Sequence, residues 1–228
     1  MTEHTSKNPI KAIKALLTDE LHIDPVLFPI EVAQENGSIL IEGTVEKISQ
    51  KKRALLFAMG LEGISGIIDR LRVRPSVRMT DAEIRKHLYD AFTGEGALTG
   101  LKIEAEVKDG VVDLEGEVWS LSHKRLAGAL AWWVPGSIDV INSIEVVPSE
   151  SDSDDEVSDA VRLILEKDRL VDAASLRIST RDWIVTLEGV AGSNAEREAA
   201  EDDAWFTWGV NGVVNNIIVD RTSIHKLP

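Results

Sequence analysis

Three groups of side chains in this sequence have types and spacings that point to chemistry, and the chemistry is binding. Arg70, Arg72 and Arg74 alternate along one stretch, and Arg78 follows soon after. In a strand, alternation puts all three on one face, where guanidinium groups suit a phosphate or another anion. Glu31 and Glu42 should project from the same face, and cross-strand pairing with them is the simpler use of the arginines. The second group is aromatic: Trp132, Trp133, Trp205, Phe206 and Trp208. Large rings gathered at one place suit a partner protein or the boundary of a bilayer. The third group is the acidic run from Ser149 to Glu156. It lacks the glycine and distal glutamate of a calcium loop and reads as a solvated linker.

Residues for catalysis do not assemble. His4, His22, His87, His123 and His225 are scattered without the spacing of metal ligands, and the chain has no cysteine. Ser, His and Asp occur, but nothing places them together. The segment from Gly60 to Gly66 has the wrong spacing for a dinucleotide loop, and it leads into a strand instead of opening a helix. Lys51-Lys52-Arg53 begins a helix and reads as a solvated face. The expectation is therefore no catalytic residue, no metal and no cofactor.

The elements that position these residues recur. Thr80 or Asp81 can cap a helix that carries Ile84, Leu88, Ala91 and Phe92 on one face. Asp154 or Asp155 can cap a second, with Val157, Val161, Ile164 and Leu165. Ile10, Ile13, Leu16 and Leu17 fill the same role near the start, with the phase displaced by about one residue. Alternating runs follow each helix, such as Leu101 to Val107 and then Val112 and Leu114, turned by Asp109-Gly110. Trp183 stands where the other hairpins have Gly37 and Gly110, which predicts a different turn in the third. A second helix has small residues at matched positions: Ala54, Ala127 and Ala200, then Ala58, Ala131 and Ala204. Gly63, Gly136 and Gly209 follow it and are expected as left-handed caps.

These positions are in phase. Gly43, Gly116 and Gly189 are each 73 residues apart, as are Gly63, Gly136 and Gly209. A fixed period means repeated modules, not one large fold. The predicted class is α+β: three tandem αββαβ modules, each a three-stranded mixed sheet with two helices on one face. Their spans are 8–75, 79–148 and 154–221. The link from Pro75 to Arg78 is short, and the acidic link from Pro148 is expected to be flexible at its start.

At roughly 100° per residue, Trp132 points about 140° away from Ala127, so it leaves the module's own core. Packing on a neighbouring copy is the first explanation, a partner protein the second and a membrane the third. The net charge of −14 argues against nucleic acid and against anionic lipid, whose repulsion reaches about 8 Å at physiological salt. Residues 1–78 are an exception, with 11 basic and 10 acidic side chains. Residues 79–148 carry 6 against 12, and residues 149–228 carry 8 against 17. Neither a signal peptide nor a spanning apolar run is visible. A cytoplasmic location is expected, or a periplasmic one if a signal has been removed.

The pattern Gly110-Val111-Val112-Asp113-Leu114-Glu115-Gly116, the alanine-rich helix from Ala127 to Ala131, and Gly136 to Asn142 resemble the BON domain. Leu187-Glu188-Gly189 and Gly209 to Asn215 repeat the pattern, as do Gly37 to Gly43 and Gly63-Ile64, where Asp69 replaces the asparagine. The resemblance covers nearly the whole chain. It implies a non-enzymatic protein linked to phospholipid surfaces, envelope maintenance or osmotic stress. One cytosolic relative binds potassium, which here would have to sit among backbone carbonyls. The leading expectation is a scaffold that holds a protein partner or itself through open sheet faces and aromatic edges. Phospholipid attachment through the first copy comes next, and potassium sensing third.

Overall fold

The computed structural model describes residues 8–220; residues 1–7 with His4, and residues 221–228 with His225, lie outside it. In the first copy, α1 (Pro9–Ala15) precedes the hairpin β1 (Ile30–Glu35) and β2 (Ser38–Val45), then α2 (Ile48–Met59) and β3 (Gly66–Val73). The second copy runs α3 (Asp81–Gly94), β4 (Lys102–Lys108), β5 (Val111–Val118) and α4 (Leu121–Trp133). Its last strand is in two pieces, β6 (Asp139–Asn142) and β7 (Glu145–Val146). The third runs α5 (Asp154–Lys167), β8 (Leu176–Arg181), β9 (Ile184–Ala191), α6 (Asn194–Phe206) and β10 (Gly212–Val219).

Each sheet is mixed. The central strand pairs antiparallel with the strand before it and parallel with the strand after the second helix. Alternation decides which face is dry: Val112, Leu114 and Val118 meet Ile84 and Leu88 of α3 and Leu126, Ala127 and Ala131 of α4. The six matched helix alanines are all fully buried, because only a methyl group fits where the helix lies flat on the sheet. The repeated glycines of the central strands have the same logic. A Cβ on Gly116 would come within 2.1 Å of the Lys102 carbonyl oxygen, and one on Gly189 within 2.2 Å of that of Ser175.

The chain divides into two units, one ending at Arg74 and the other starting at Pro75. The first unit is copy one. The second holds copies two and three together, with α4 packed on both α5 and α6.

Several sequence expectations need correction. The displaced phase of the first helix comes from a π-helical turn over Leu16–Glu20, where the Leu21 N–H bonds Leu16 O; Ile13, Leu16 and Leu17 are all buried. The third hairpin keeps the turn of the second. Asp182 and Trp183 have φ of 52° and 64°, against 52° and 79° for Asp109 and Gly110. The cause is a tether: Asp154 accepts from both turn N–H groups at 2.8 and 2.9 Å, as Asp81 does from its own turn at 3.0 and 2.9 Å. That pair of bonds offsets the strain of a tryptophan in the left-handed region. Gly136 is not left-handed; it is glycine because a Cβ would meet the Met79 Cβ at 2.6 Å. Gly63 and Gly209 do have positive φ, but in the turns beyond their helices, not as caps. The acidic link is held at its start, since Glu150 accepts from the Leu121 N–H at 2.9 Å and Asp152 pairs with Arg125. Nor are the α2 lysines a solvated face: Lys51 is buried and paired with Asp69, and Lys52 is half-buried.

Candidate functional site

The aromatic group lies at the junction of the second and third copies. The α4 helix ends in Trp132-Trp133 because Val134 leaves helical backbone, and α6 ends in Trp205-Phe206 in the same way at Thr207. Trp132 stacks on Phe206 with ring centroids 5.5 Å apart and planes 9° from parallel. Trp205 is only 2% exposed. The Trp133 Nε1–H donates to Asp203 Oδ1 at 2.7 Å. Trp208 stays 43% exposed, with the Lys124 ammonium 4.5 Å above its ring. Of the five rings, Trp208 alone is presented to solvent to that degree.

Polar residues that sequence reasoning missed fix this junction. The Arg125 side chain is fully buried, donates from Nε to the Trp208 carbonyl at 3.0 Å, and pairs with Asp152. Lys167 of α5 reaches Glu95 beyond α3 at 2.8 Å. Asp203 is 2% exposed, and burial pushes its carboxyl up to about 8. The negative charges of Asp168 and Asp202 push the same way, against the Trp133 hydrogen bond. The sequence did carry a signal for Asp203. Its repeat equivalents are Phe57 and Leu130, so it is an acid in an apolar column.

The arginines of copy one carry their own partners. Arg70 Nη1 lies 3.2 Å from Glu42, as the alternation expects, while Arg74 pairs with Glu46 and not Glu31. The Arg74 guanidinium also sits 5.2 Å from the centre of the Phe28 ring. Arg72 donates to the Leu71 carbonyl at 3.0 Å. Beside Phe28, Val26 and Leu27 are 85% and 71% exposed. Arg78 belongs to the other unit and precedes α3.

The open sheet faces of the second unit differ in character. On copy two that face presents Glu104, Glu106, Glu115 and Glu117. On copy three it presents Ile184, Val190, Val214 and Ile218, each between 38% and 68% exposed. Copy two also has a groove of about 510 Å³ between α3 and β4, lined by Arg85, Tyr89, Phe92 and Ala105 among others. Ala105 is the smaller residue where copies one and three have Val32 and Ile178. Among the described residues, no group of three or more metal-ligating side chains occurs, and no helix is long and apolar enough to cross a membrane.

Comparison with known proteins followed the repeat. A family model described as the BON domain matches residues 10–75, 80–148 and 153–221. Osmotically-inducible protein Y of Escherichia coli (strain K12) is 29% identical over 139 residues, covering 58% of this chain and 68% of that protein. Among solved structures, the C-terminal domain of CdsD from the type III secretion system of Chlamydia trachomatis aligns at 13% identity and a TM-score of 0.26. That alignment covers 95% of this chain and 100% of the other. The periplasmic domain of PrgH aligns at 12% identity and a TM-score of 0.24, covering 89% and 98%. At those scores neither likeness bears on function.

Proposed function

The chain belongs to the BON domain family, and from that premise we propose that it is a non-catalytic binding protein that acts under osmotic stress. It holds a protein partner, or a second copy of itself, on the open sheet face of its third domain. The osmotic setting is taken from the name of the Escherichia coli relative. The observation that carries the binding surface is the exposed β-branched group Ile184, Val190, Val214 and Ile218 on an otherwise acidic protein. Val190 and Ile218 are register neighbours at one end of this face, and Ile184 and Val214 lie toward the other, with Glu188 and Asn216 between them; exposed apolar side chains gathered on one face of a charged protein suit an interaction site. The aromatic cluster is largely used up between domains, so this face takes over the role expected of it. Binding would bury these aliphatic side chains on either side of the Arg177–Glu188 pair, which crosses the middle of the face. The test is sedimentation of the full chain over a range of concentrations, with in-cell cross-linking, for the wild type and Ile218→Lys. Loss of the complex in the variant supports the reading; an unchanged complex refutes this face.

A second reading, attachment to a phospholipid surface through the first domain, has its own support. The exposed Val26-Leu27 tip stands beside Phe28 and Arg74. An apolar tip next to a guanidinium is suited to a headgroup boundary. Co-sedimentation with anionic vesicles should then fall with salt and with Leu27→Asp, and neutral vesicles should bind less.

A further inference from the structure

We propose that the junction of the second and third domains is a pH-sensitive latch, held shut by a proton on the buried carboxyl of Asp203 and loosened when that proton leaves. The argument begins with placement. Asp203 faces the other domain from α6, and its Oδ1 accepts a hydrogen bond from the Trp133 indole of α4 at 2.7 Å. Its Oδ2 is buried with no N–H donor on it among the described residues, and the Asp168 carboxylate stands within hydrogen-bonding reach of the Asp203 carboxyl, able to accept its proton. A buried oxygen with nothing donating to it suits a protonated carboxyl, not a carboxylate.

The surrounding charges point the same way. At the C-cap of α5 the facing group is Asp168, and on α6 itself it is Asp202; both are acidic. The basic residue next to Asp168, Lys167, is paired with Glu95. On α4, Lys124 lies over the Trp208 ring, and Arg125 is bound to Asp152 and the Trp208 carbonyl. The cations of the junction are therefore engaged elsewhere. Ionising Asp203 would place a third negative charge in a site closed to water.

The sign follows from linkage. In the closed junction the carboxyl titrates at about 8; once the domains part, it returns to the ordinary range near 3.8. The closed state thus holds its proton more tightly. Its advantage is complete below the lower value, shrinks as pH rises between the two, and is constant above the upper one. Within that window the ratio of closed to open molecules falls by up to about tenfold per pH unit.

The natural chain has no cysteine, so two introduced ones give unique labelling sites. Single-molecule energy transfer between dyes on Glu104→Cys and Arg177→Cys, both exposed positions, reads the junction in the full chain from pH 5 to 9. We expect one transfer state at pH 5 and a second that grows toward pH 8. With Asp203→Asn added, the two populations should no longer depend on pH across that range. A wild-type ratio that is flat with pH would overturn the latch, and so would an Asn variant that keeps the wild-type dependence. Asp168→Asn guards against a variant that fails to fold. It leaves the Asp203 carboxyl and removes a neighbouring charge, so the pH window should end at a lower value and the open population at pH 8 should shrink; a curve identical to the wild type's would also overturn the proposal.

Discussion

At one position of the repeat, Asn142 and Asn215 donate to helix carbonyls, those of Lys124 and Arg197, at 2.8 and 3.0 Å. Copy one has Asp69 there, and a carboxylate has no proton to donate. Lys51, the repeat equivalent of Lys124 and Arg197, turns inward instead, 2.8 Å from Asp69 and 2.7 Å from the Leu71 carbonyl. One side chain changed and its partner changed role. The neighbouring Lys52 is half-buried, and desolvation lowers its ammonium to about 8 from 10.5. A cation with a depressed folded value costs stability below that value, and the cost disappears as pH rises to 10.5. The first unit should therefore become more stable between pH 8 and 10.5. Lys52→Met should stabilise it at neutral pH by about 1–2 kcal/mol. Urea unfolding followed by amide exchange in α2 and β3 checks both; a variant no more stable at pH 7 would show that Lys52 reaches water.

At the scale of elements, the hairpins and their glycines are the informative parts. Gly116 has φ of 128° and no room for a Cβ against the β4 backbone. Gly116→Ala should cost about 3 kcal/mol or more, by strain and by pushing β4 from β5. Gly94, at the end of α3 with open space around it, is the control: Ala there should stabilise by about 0.5–1 kcal/mol. Thermal unfolding of the full chain distinguishes the two. The strands and helices were legible because alternation and helical spacing are local. The turn at Trp183 was not, because its geometry is enforced by Asp154, 29 residues earlier. Gly136 was misread for a similar reason: its constraint comes from Met79, on a segment far away in sequence.

At the scale of the whole molecule, the second and third domains form one unit whose junction includes a buried ion pair. Asp152→Ala would leave the Arg125 guanidinium fully buried without its carboxylate. That should cost about 3–5 kcal/mol and split the unfolding of the second unit into two calorimetric transitions. Glu42→Ala, which breaks an exposed pair with Arg70, should cost no more than about 1 kcal/mol. Equal effects would mean that the junction contributes nothing special. The sequence alone determined the count of modules, their αββαβ order, their core columns and their family, because a period of 73 residues and the face of each helix or strand are properties of the chain taken in order. It also showed that Trp132 must leave its own core. Only the tertiary structure decided what covers that ring, which lysine is buried, and that Asp203 meets Trp133 across 70 residues. Those outcomes depend on which surfaces meet when two folded modules pack, and neither periodicity nor spacing contains that information.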